Sequence, residues 1–161
     1  MLNYLTIQQE VKFNYISITY NLKVEQICVD KIQAYIYRGL IMAKILSVDD
    51  SKSIRDVIQH ILSSEKHDVI SAADGQQALE IARSTPVDIA LVDINMPNMN
   101  GISLVSKLRR LESYQYIPII MVTTETDEYR KKKAKSVGAT GWLAKPITAE
   151  RLISVVNKLV S

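Results

Sequence analysis

The fold of this chain is decided by the stretch Val87-Asp-Ile-Ala-Leu-Val-Asp-Ile-Asn-Met-Pro-Asn-Met-Asn-Gly101. Its first six residues form a mainly apolar run of the length of a buried strand. Asp93 stands where that run ends, and the residues Asn98-Met-Asn-Gly101 have the composition of a turn. The apolar face of the helix that follows consists of Leu104, Val105, Leu108 and Leu111. The stretch therefore predicts a buried strand, an acidic loop and an amphipathic helix.

The same order of strand, loop and helix recurs on both sides of this unit. Apolar runs predict strands at 45–48, 69–70, 87–92, 118–122 and 141–144. The apolar faces of the other amphipathic helices include Ile54, Val57, Ile58, Ile61, Leu62, Ala78, Ile81, Ala82, Leu152, Val155, Val156 and Leu159. The lysine-rich segment 127–137, which stops at Gly138, is predicted as the fourth helix. Five strands that alternate with five helices predict an α/β fold, a doubly wound (βα)5 parallel sheet with helices on both faces.

Length and composition exclude several classes of protein. The chain has 161 residues, 47% of them apolar, which is enough for one ordinary domain with an appendage and excludes global disorder. Its formal charge of +3 is too small to indicate a nucleic-acid partner. The single cysteine, Cys28, excludes an internal disulfide, and the histidines His60 and His67 lack partners for a zinc site. No apolar run approaches the ~18–20 residues that span a bilayer, so we expect a cytoplasmic protein.

Residues 1–41 differ in character from the rest of the chain. They are rich in Ile, Tyr, Asn and Lys and show no helical stripe, although 12–20 alternates loosely like an edge strand. A secretory signal is not expected, because no apolar block follows a basic start. Met42 begins the regular alternation of strands and helices. We therefore expect 1–41 to be an N-terminal extension, either an upstream start or a flexible lead or arm, and 42–161 to be the domain.

Polar residues stand at the carboxyl ends of the predicted strands, the edge at which open α/β sheets bind their ligands. They are Asp49 and Asp50 after the first strand, Asp93 after the third, Thr123 after the fourth and Lys145-Pro146 after the fifth. Three carboxylates without a cation would repel one another. A divalent ion together with the lysine balances their charge, and oxygen ligands favour Mg²⁺ over zinc.

These residues together resemble the receiver domain of two-component response regulators. The resemblance rests on Asp49-Asp50, the segment Asp93-Ile-Asn-Met-Pro-Asn-Met-Asn-Gly101, Thr123 and Lys145-Pro146, and it covers residues 43–160. It is strongest to the CheY-like, single-domain chemotaxis type. It implies a flavodoxin-like sheet with strand order 2-1-3-4-5. It also implies a phosphoacceptor switch rather than an enzyme, one that catalyses only its own phosphorylation and dephosphorylation.

The resemblance implies a role for each acidic residue. Asp93 is the phosphoacceptor, a carboxylate nucleophile that forms an aspartyl phosphate. Asp49, Asp50, Asp93 and the backbone carbonyl of Asn95 hold Mg²⁺, with Asp49 acting through water. The ordinary alternative for Asp50 is a helix cap.

Further roles concern the phosphoryl group and its lifetime. Lys145 pairs with one phosphoryl oxygen and Thr123 donates its hydroxyl to another; the alternatives are a solvated loop lysine and a loop hydroxyl. The Lys145–Pro146 bond is expected to be cis. Asn95 and Glu125, two residues after Asp93 and Thr123, are polar and small enough to admit water, which implies a short-lived phosphoryl group; the alternative is that both are merely exposed.

The resemblance also indicates a switch and a partner face. Trp142 stands three residues before the lysine, where the family carries an aromatic ring that turns on activation, although a static ring is the alternative. The run Arg130-Lys-Lys-Lys-Ala-Lys135 lies on the helix that belongs to the family's partner face. It is either a solvated face or a surface for an acidic partner. The expected partners are a CheA-like sensor histidine kinase and a phosphorylation-dependent target such as the flagellar switch, bound by a monomer without nucleic acid or membrane.

Three other interpretations compete with this one. Within the same fold, a phosphorelay shuttle would pass its phosphoryl group to a histidine phosphotransfer protein. A flavodoxin-type cofactor binder would need bare N–H donors after the first strand, where Asp49-Asp50 would repel a phosphate. A phosphatase with an aspartate nucleophile would carry a second Asp at the position of Asn95. The residues favour the receiver over the last two.

Overall fold

The structure, a computed structural model, describes residues 42–124 and 127–160. Its strands are β1 (Lys44–Val48), β2 (Asp68–Ala72), β3 (Ile89–Val92), β4 (Ile119–Thr123) and β5 (Gly141–Ala144). Its α-helices are α1 (Lys52–Ser64), α2 (Gly75–Ser84), α3 (Gly101–Leu108), α4 (Glu128–Ser136) and α5 (Ala149–Leu159), and a short 3₁₀ helix, Glu112–Tyr114, precedes β4. The strands pair in parallel in the order β2-β1-β3-β4-β5. The predicted doubly wound sheet and its strand order are therefore confirmed.

Two expectations concern residues outside this range. The N-terminal extension 1–41 and the lifetime role of Glu125 both lie outside the described residues, so they stay predictions. Where the structure does describe the chain, it contains no helix that is long and apolar enough to cross a membrane.

The central strand β3 is buried on both faces of the sheet. Ile89 and Leu91 belong to one apolar cluster and Ala90 and Val92 to the other, and each side chain is at most 1% exposed. Successive side chains of a strand point to opposite faces. Buried residues of α1 and α5 complete the first cluster, and those of α2, α3 and α4 complete the second. This double cover explains why the sequence of the strand is a continuous apolar run.

Two apolar residues lie differently from the sequence prediction. The sequence predicts Val57 on the buried face of α1, yet its side chain is 43% exposed. It lies roughly 120° around the helix from the midpoint of the buried Ile58 and Leu62, so the neighbouring elements do not cover it. Leu111 is predicted inside the third helix, whereas α3 ends at Leu108. The N–H of Leu111 donates to the carbonyl of Leu108 at 2.9 Å, a tighter bond that closes the helix.

Candidate functional site

Parallel pairing brings the ends of β1 and β3 to the same level of the sheet. Val48 pairs with Val92, so Asp49 and Asp93, the next residues, leave the two strands side by side. The N–H of Asp93 donates to the carbonyl of Val48 at 2.9 Å. Asp49 is only 1% exposed and Asp93 only 4%. Two buried acids at one edge are costly unless a cation accompanies them.

Lys145 supplies that cation from the end of β5. Its Nζ lies 2.6 Å from Asp49 Oδ2 and 3.1 Å from Asp93 Oδ1. The lysine side chain is itself only 15% exposed, so solvent screens these ion pairs little. The Lys145–Pro146 peptide bond is cis, in agreement with the expectation from the resemblance. The structure thus brings together the acid pair and the lysine that the sequence assigned to one site.

Backbone amides fix the second oxygen of each carboxylate. The N–H of Ser51 donates to Asp49 Oδ1 at 2.9 Å, and the N–H of Asn95 donates to Asp93 Oδ2 at 2.9 Å. Each aspartate therefore has one oxygen on the lysine and the other on the loop that follows its strand. These contacts hold both carboxylates in fixed orientations, as a nucleophile requires.

The charges at this edge perturb one another. Burial raises the pKa of Asp93, and the charge of Asp49 adds to this, while hydrogen bonds from Lys145 and from the N–H of Asn95 oppose it. Burial by itself lowers the pKa of Lys145, but its contacts with Asp49 and Asp93 outweigh that effect, so the pKa of Lys145 is raised. Lys145 therefore stays positively charged at neutral pH.

The other predicted residues surround this ion-paired centre. Thr123 ends β4, is fully buried and pairs with Ala144, and its carbonyl accepts from the N–H of Lys145 at 3.0 Å. Asp50 and Asn95 are exposed and line one open cavity of about 540 Å³. Within 42–124 and 127–160, no three His, Cys, Asp or Glu side chains lie close enough to hold a metal ion by themselves. The site therefore has a buried centre and an exposed mouth.

Two residues that support this edge were not singled out by the sequence. Arg55 donates from Nη1 to the backbone carbonyls of Asp49 at 2.6 Å and Asp50 at 3.1 Å, so it supports the loop that follows β1. Gly101, assigned only to a turn, packs directly on the backbone of Asp93: a Cβ there would overlap the carbonyl oxygen and lie 2.9 Å from the carbonyl carbon. The role of Arg55 could have been predicted, because it is a basic residue one turn into the helix that follows Asp49-Asp50. No local pattern indicates the role of Gly101.

Trp142 lies away from the acidic centre, on β5 beside α4. Its ring is partly buried, and its Nε1 is buried without a hydrogen-bond partner among the described residues. Trp142 lines an open groove of about 400 Å³ together with Lys131, Lys132 and Lys135 of α4. In α4, Ala134 is the one fully buried residue. Glu128 also lines the groove and accepts from Lys131 at 2.7 Å, so the groove combines an aromatic ring with a wall of net positive charge.

A buried aspartate that a lysine and a backbone N–H hold at the carboxyl edge of this sheet is the arrangement of a phosphoacceptor switch. The protein-family model described as the response regulator receiver domain matches residues 45–157. The chain belongs to the response regulator receiver domain family, and the resemblance seen in the sequence is thereby confirmed.

Individual similar proteins match over most of their own length, and some of them are named as chemotaxis proteins. The chain is 34% identical over 120 residues to Protein PilH of Pseudomonas aeruginosa, covering 74% of this chain and 99% of that protein. It is 38% identical over 111 residues to the Chemotaxis protein CheY homolog of Campylobacter jejuni, covering 68% and 85%. Among solved structures, the chemotaxis protein CheY4 of Vibrio cholerae superposes with a TM-score of 0.72 at 43% identity, covering 74% of this chain and 99% of that one. The likeness spans nearly the whole length of these relatives.

Proposed function

We propose that this protein is a chemotaxis-type response regulator in which Asp93 accepts a phosphoryl group from a CheA-like sensor histidine kinase. One observation carries the proposal: Lys145 Nζ contacts both buried carboxylates, at 2.6 Å from Asp49 and 3.1 Å from Asp93. An oxygen of Asp93 attacks the phosphorus of phosphohistidine, the P–O bond forms as the P–N bond breaks, and the leaving imidazole takes up a proton. The resulting aspartyl phosphate is the switched state.

The oxygen atoms at the mouth of the site fit a magnesium ion. The carboxylates of Asp50 and Asp93 and the backbone carbonyl of Asn95 would hold it, with Asp49 acting through water, and oxygen donors of this kind are the ones that Mg²⁺ prefers. Three carboxylates against the one ammonium of Lys145 leave a formal charge of −2, which a divalent cation balances. When bound, the ion offsets the negative charge of the phosphoryl oxygens during transfer.

Lys145 and Thr123 prepare the site for those oxygens. Lys145 keeps its charge, so its ammonium pairs with a phosphoryl oxygen once the group is on Asp93. Thr123, at the end of the adjacent strand, supplies a hydroxyl donor for another. As that hydroxyl turns toward the phosphoryl group, space opens behind it for the ring of Trp142. In this way a local change at the acid is transmitted to the surface of β5.

We propose that the phosphoryl group is short-lived. Asn95 is polar and exposed and lies in the loop that follows Asp93, and Glu125 stands at the corresponding place two residues after Thr123. Both side chains are small enough to admit an attacking water. Phosphoprotein that persisted for hours at neutral pH would contradict this part of the proposal.

The groove beside Trp142 is the proposed partner surface. Three lysines and Glu128 line it and leave it with a net positive charge, which fits an acidic segment of a kinase docking domain or a flagellar-switch protein. Protein loaded with a phosphate mimic should capture such a target, Asp93→Asn should not, and raised salt should release it. A target that binds both forms equally would show that the surface is not switched. The chemotaxis-type relatives favour this output over the phosphorelay alternative.

The proposed working unit is residues 42–161, acting as a monomer in the cytoplasm, with 1–41 as an N-terminal extension that is either an upstream start or a flexible lead or arm. The intact mass of the protein purified from its own source distinguishes the two. A mass that includes residues 1–41 contradicts the upstream start.

Incubation with acetyl phosphate and Mg²⁺ tests the central proposal. The expected result is an intact-mass increase of one phosphoryl group, mapped to Asp93 and absent in Asp93→Asn or after chelation of Mg²⁺. Asp88→Asn is the matched control, because Asp88 lies just before the opposite end of the same strand and is exposed. An unchanged mass, or a phosphoryl group mapped elsewhere, would overturn the proposal.

A further inference from the structure

A hydrogen bond ties α4 to the loop that follows the acceptor. Arg130 Nη1 donates to Asn95 Oδ1 at 3.0 Å, across 35 positions of sequence. The backbone N–H of the same Asn95 donates to Asp93 Oδ2 at 2.9 Å. Asn95 is therefore held at two points, by its backbone on the acceptor carboxylate and by its side chain on the helix.

This bond lies at the mouth of the site. Arg130 and Asn95 line the open cavity of about 540 Å³ beside the acceptor loop, together with Asp50 and Lys133. Asp93 itself is only 4% exposed, and the two residues that follow it, Ile94 and Asn95, line this mouth. The Asn95 side chain is exposed and, without a partner, would sample several rotamers.

We propose that Arg130 is a positioning residue that holds Asn95 across the approach to Asp93 and thereby slows hydrolysis of the aspartyl phosphate. The inference rests on the proposed function, because it concerns the phosphoryl group on Asp93. In the hydrolysis, a water oxygen forms a bond to phosphorus as the bond from phosphorus to the Asp93 oxygen breaks. The water's proton leaves with inorganic phosphate, and the carboxylate is restored.

The bond has the properties that such a role requires. The donor is a permanently charged, planar guanidinium, which orients an amide oxygen better than a lysine ammonium does. One hydrogen bond that orders a covering side chain corresponds to about a two- to tenfold difference in rate. Because Asn95 carries the effect, Arg130 should matter only while that side chain is present.

The test measures loss of the phosphoryl group from the full chain after phosphorylation by acetyl phosphate and Mg²⁺. Arg130→Ala should lose the group about two to ten times faster than the parent. Arg83→Ala, which removes an exposed arginine from the end of α2, should leave the rate unchanged. In an Asn95→Ala background, Arg130→Ala should cause no further acceleration.

A second measurement does not depend on phosphorylation. The side-chain amide resonances of Asn95 should shift in Arg130→Ala and stay in place in Arg83→Ala. The inference would be overturned by any of three results. The Asn95 amide resonances do not shift in Arg130→Ala, Arg130→Ala loses the phosphoryl group at the same rate as Arg83→Ala, or Arg130→Ala accelerates the loss equally with and without the Asn95 side chain. If the parent protein accepts no phosphoryl group but the Asn95 resonances shift in Arg130→Ala, the hydrogen bond between Arg130 and Asn95 is present and the proposed function fails.

Discussion

Replacement of Gly101 by alanine should disturb both the stability and the chemistry of this protein. Gly101 is the first residue of α3, and its N–H donates to the carbonyl of Ile94 at 2.9 Å, so the helix begins directly against the loop that follows Asp93. An added Cβ would overlap the carbonyl oxygen of Asp93 and lie 2.9 Å from its carbonyl carbon. Both atoms belong to the backbone and cannot rotate away.

The magnitude follows from the displacement that the new carbon requires. Non-bonded carbons settle at roughly 3.5–4.0 Å, so the Asp93 carbonyl and α3 must separate by roughly 1 Å. Overpacking in a filled interior costs about 3 kcal/mol when backbone has to move. Alanine returns up to about 1 kcal/mol through its greater helix propensity. We therefore expect the free energy of unfolding to fall by about 2 kcal/mol.

Gly75→Ala is a matched control for this change. Gly75 is also the first residue of a helix, α2, and also follows a capping side chain, Asp74. The three atoms nearest to its added Cβ all belong to the side chain of Met99, at 3.0–3.1 Å, and none is a backbone atom. The free energy of unfolding should therefore change by less than about 1 kcal/mol.

Urea denaturation followed by far-ultraviolet circular dichroism measures both variants. Phosphorylation by acetyl phosphate should also slow at least about tenfold in Gly101→Ala, because the proposed nucleophile Asp93 is displaced. If Gly101→Ala matched Gly75→Ala in both stability and rate, the close approach of α3 to Asp93 would have no energetic consequence and the reasoning would be refuted.

Three further predictions concern other parts of the molecule. The hydroxyl of Ser47 is fully buried and has no hydrogen-bond partner among the described residues, so Ser47→Ala should raise the free energy of unfolding by about 1 kcal/mol. The control Ser64→Ala, which removes an exposed hydroxyl, should not raise it. A loss of stability in Ser47→Ala would contradict the argument. Burial lowers the pKa of His67 below its ordinary value of 6.5, so the unfolded chain binds more protons and the free energy of unfolding should rise with pH up to about 6.5 and then level off. His67→Gln should remove this slope and His60→Gln should keep it; an unchanged slope in His67→Gln would refute the assignment. The fluorescence of Trp142, the single tryptophan, should change when Mg²⁺ and beryllium fluoride are added together and not with either alone, whereas a constant signal would indicate a static ring.

The order of the strands and helices was predictable because each of them has a local pattern of apolar residues. The continuous apolar run before Asp93 predicted a strand buried on both faces, and β3 has that burial. The exposure of Val57 was not predictable, because the periodicity of α1 shows which residues are apolar and not how far the neighbouring elements extend around the helix.

The membership of the site was predictable for a related reason. Strands joined by helical crossovers run parallel, so the residues after each strand collect at one edge. Asp49, Asp93 and Lys145 could therefore be assigned to one site from their places in the sequence, and the structure puts the lysine in contact with both acids.

Local sequence patterns thus specify the succession of strands and helices and the set of polar residues at the carboxyl edge of the sheet. The contacts between atoms follow from the folded domain: the lysine shared by two acids, Gly101 against the Asp93 carbonyl, and Arg130 on Asn95. The difference arises because periodicity reflects interactions over a few residues. Contacts across 35 or 96 positions depend on strand register, helix placement and packing acting together.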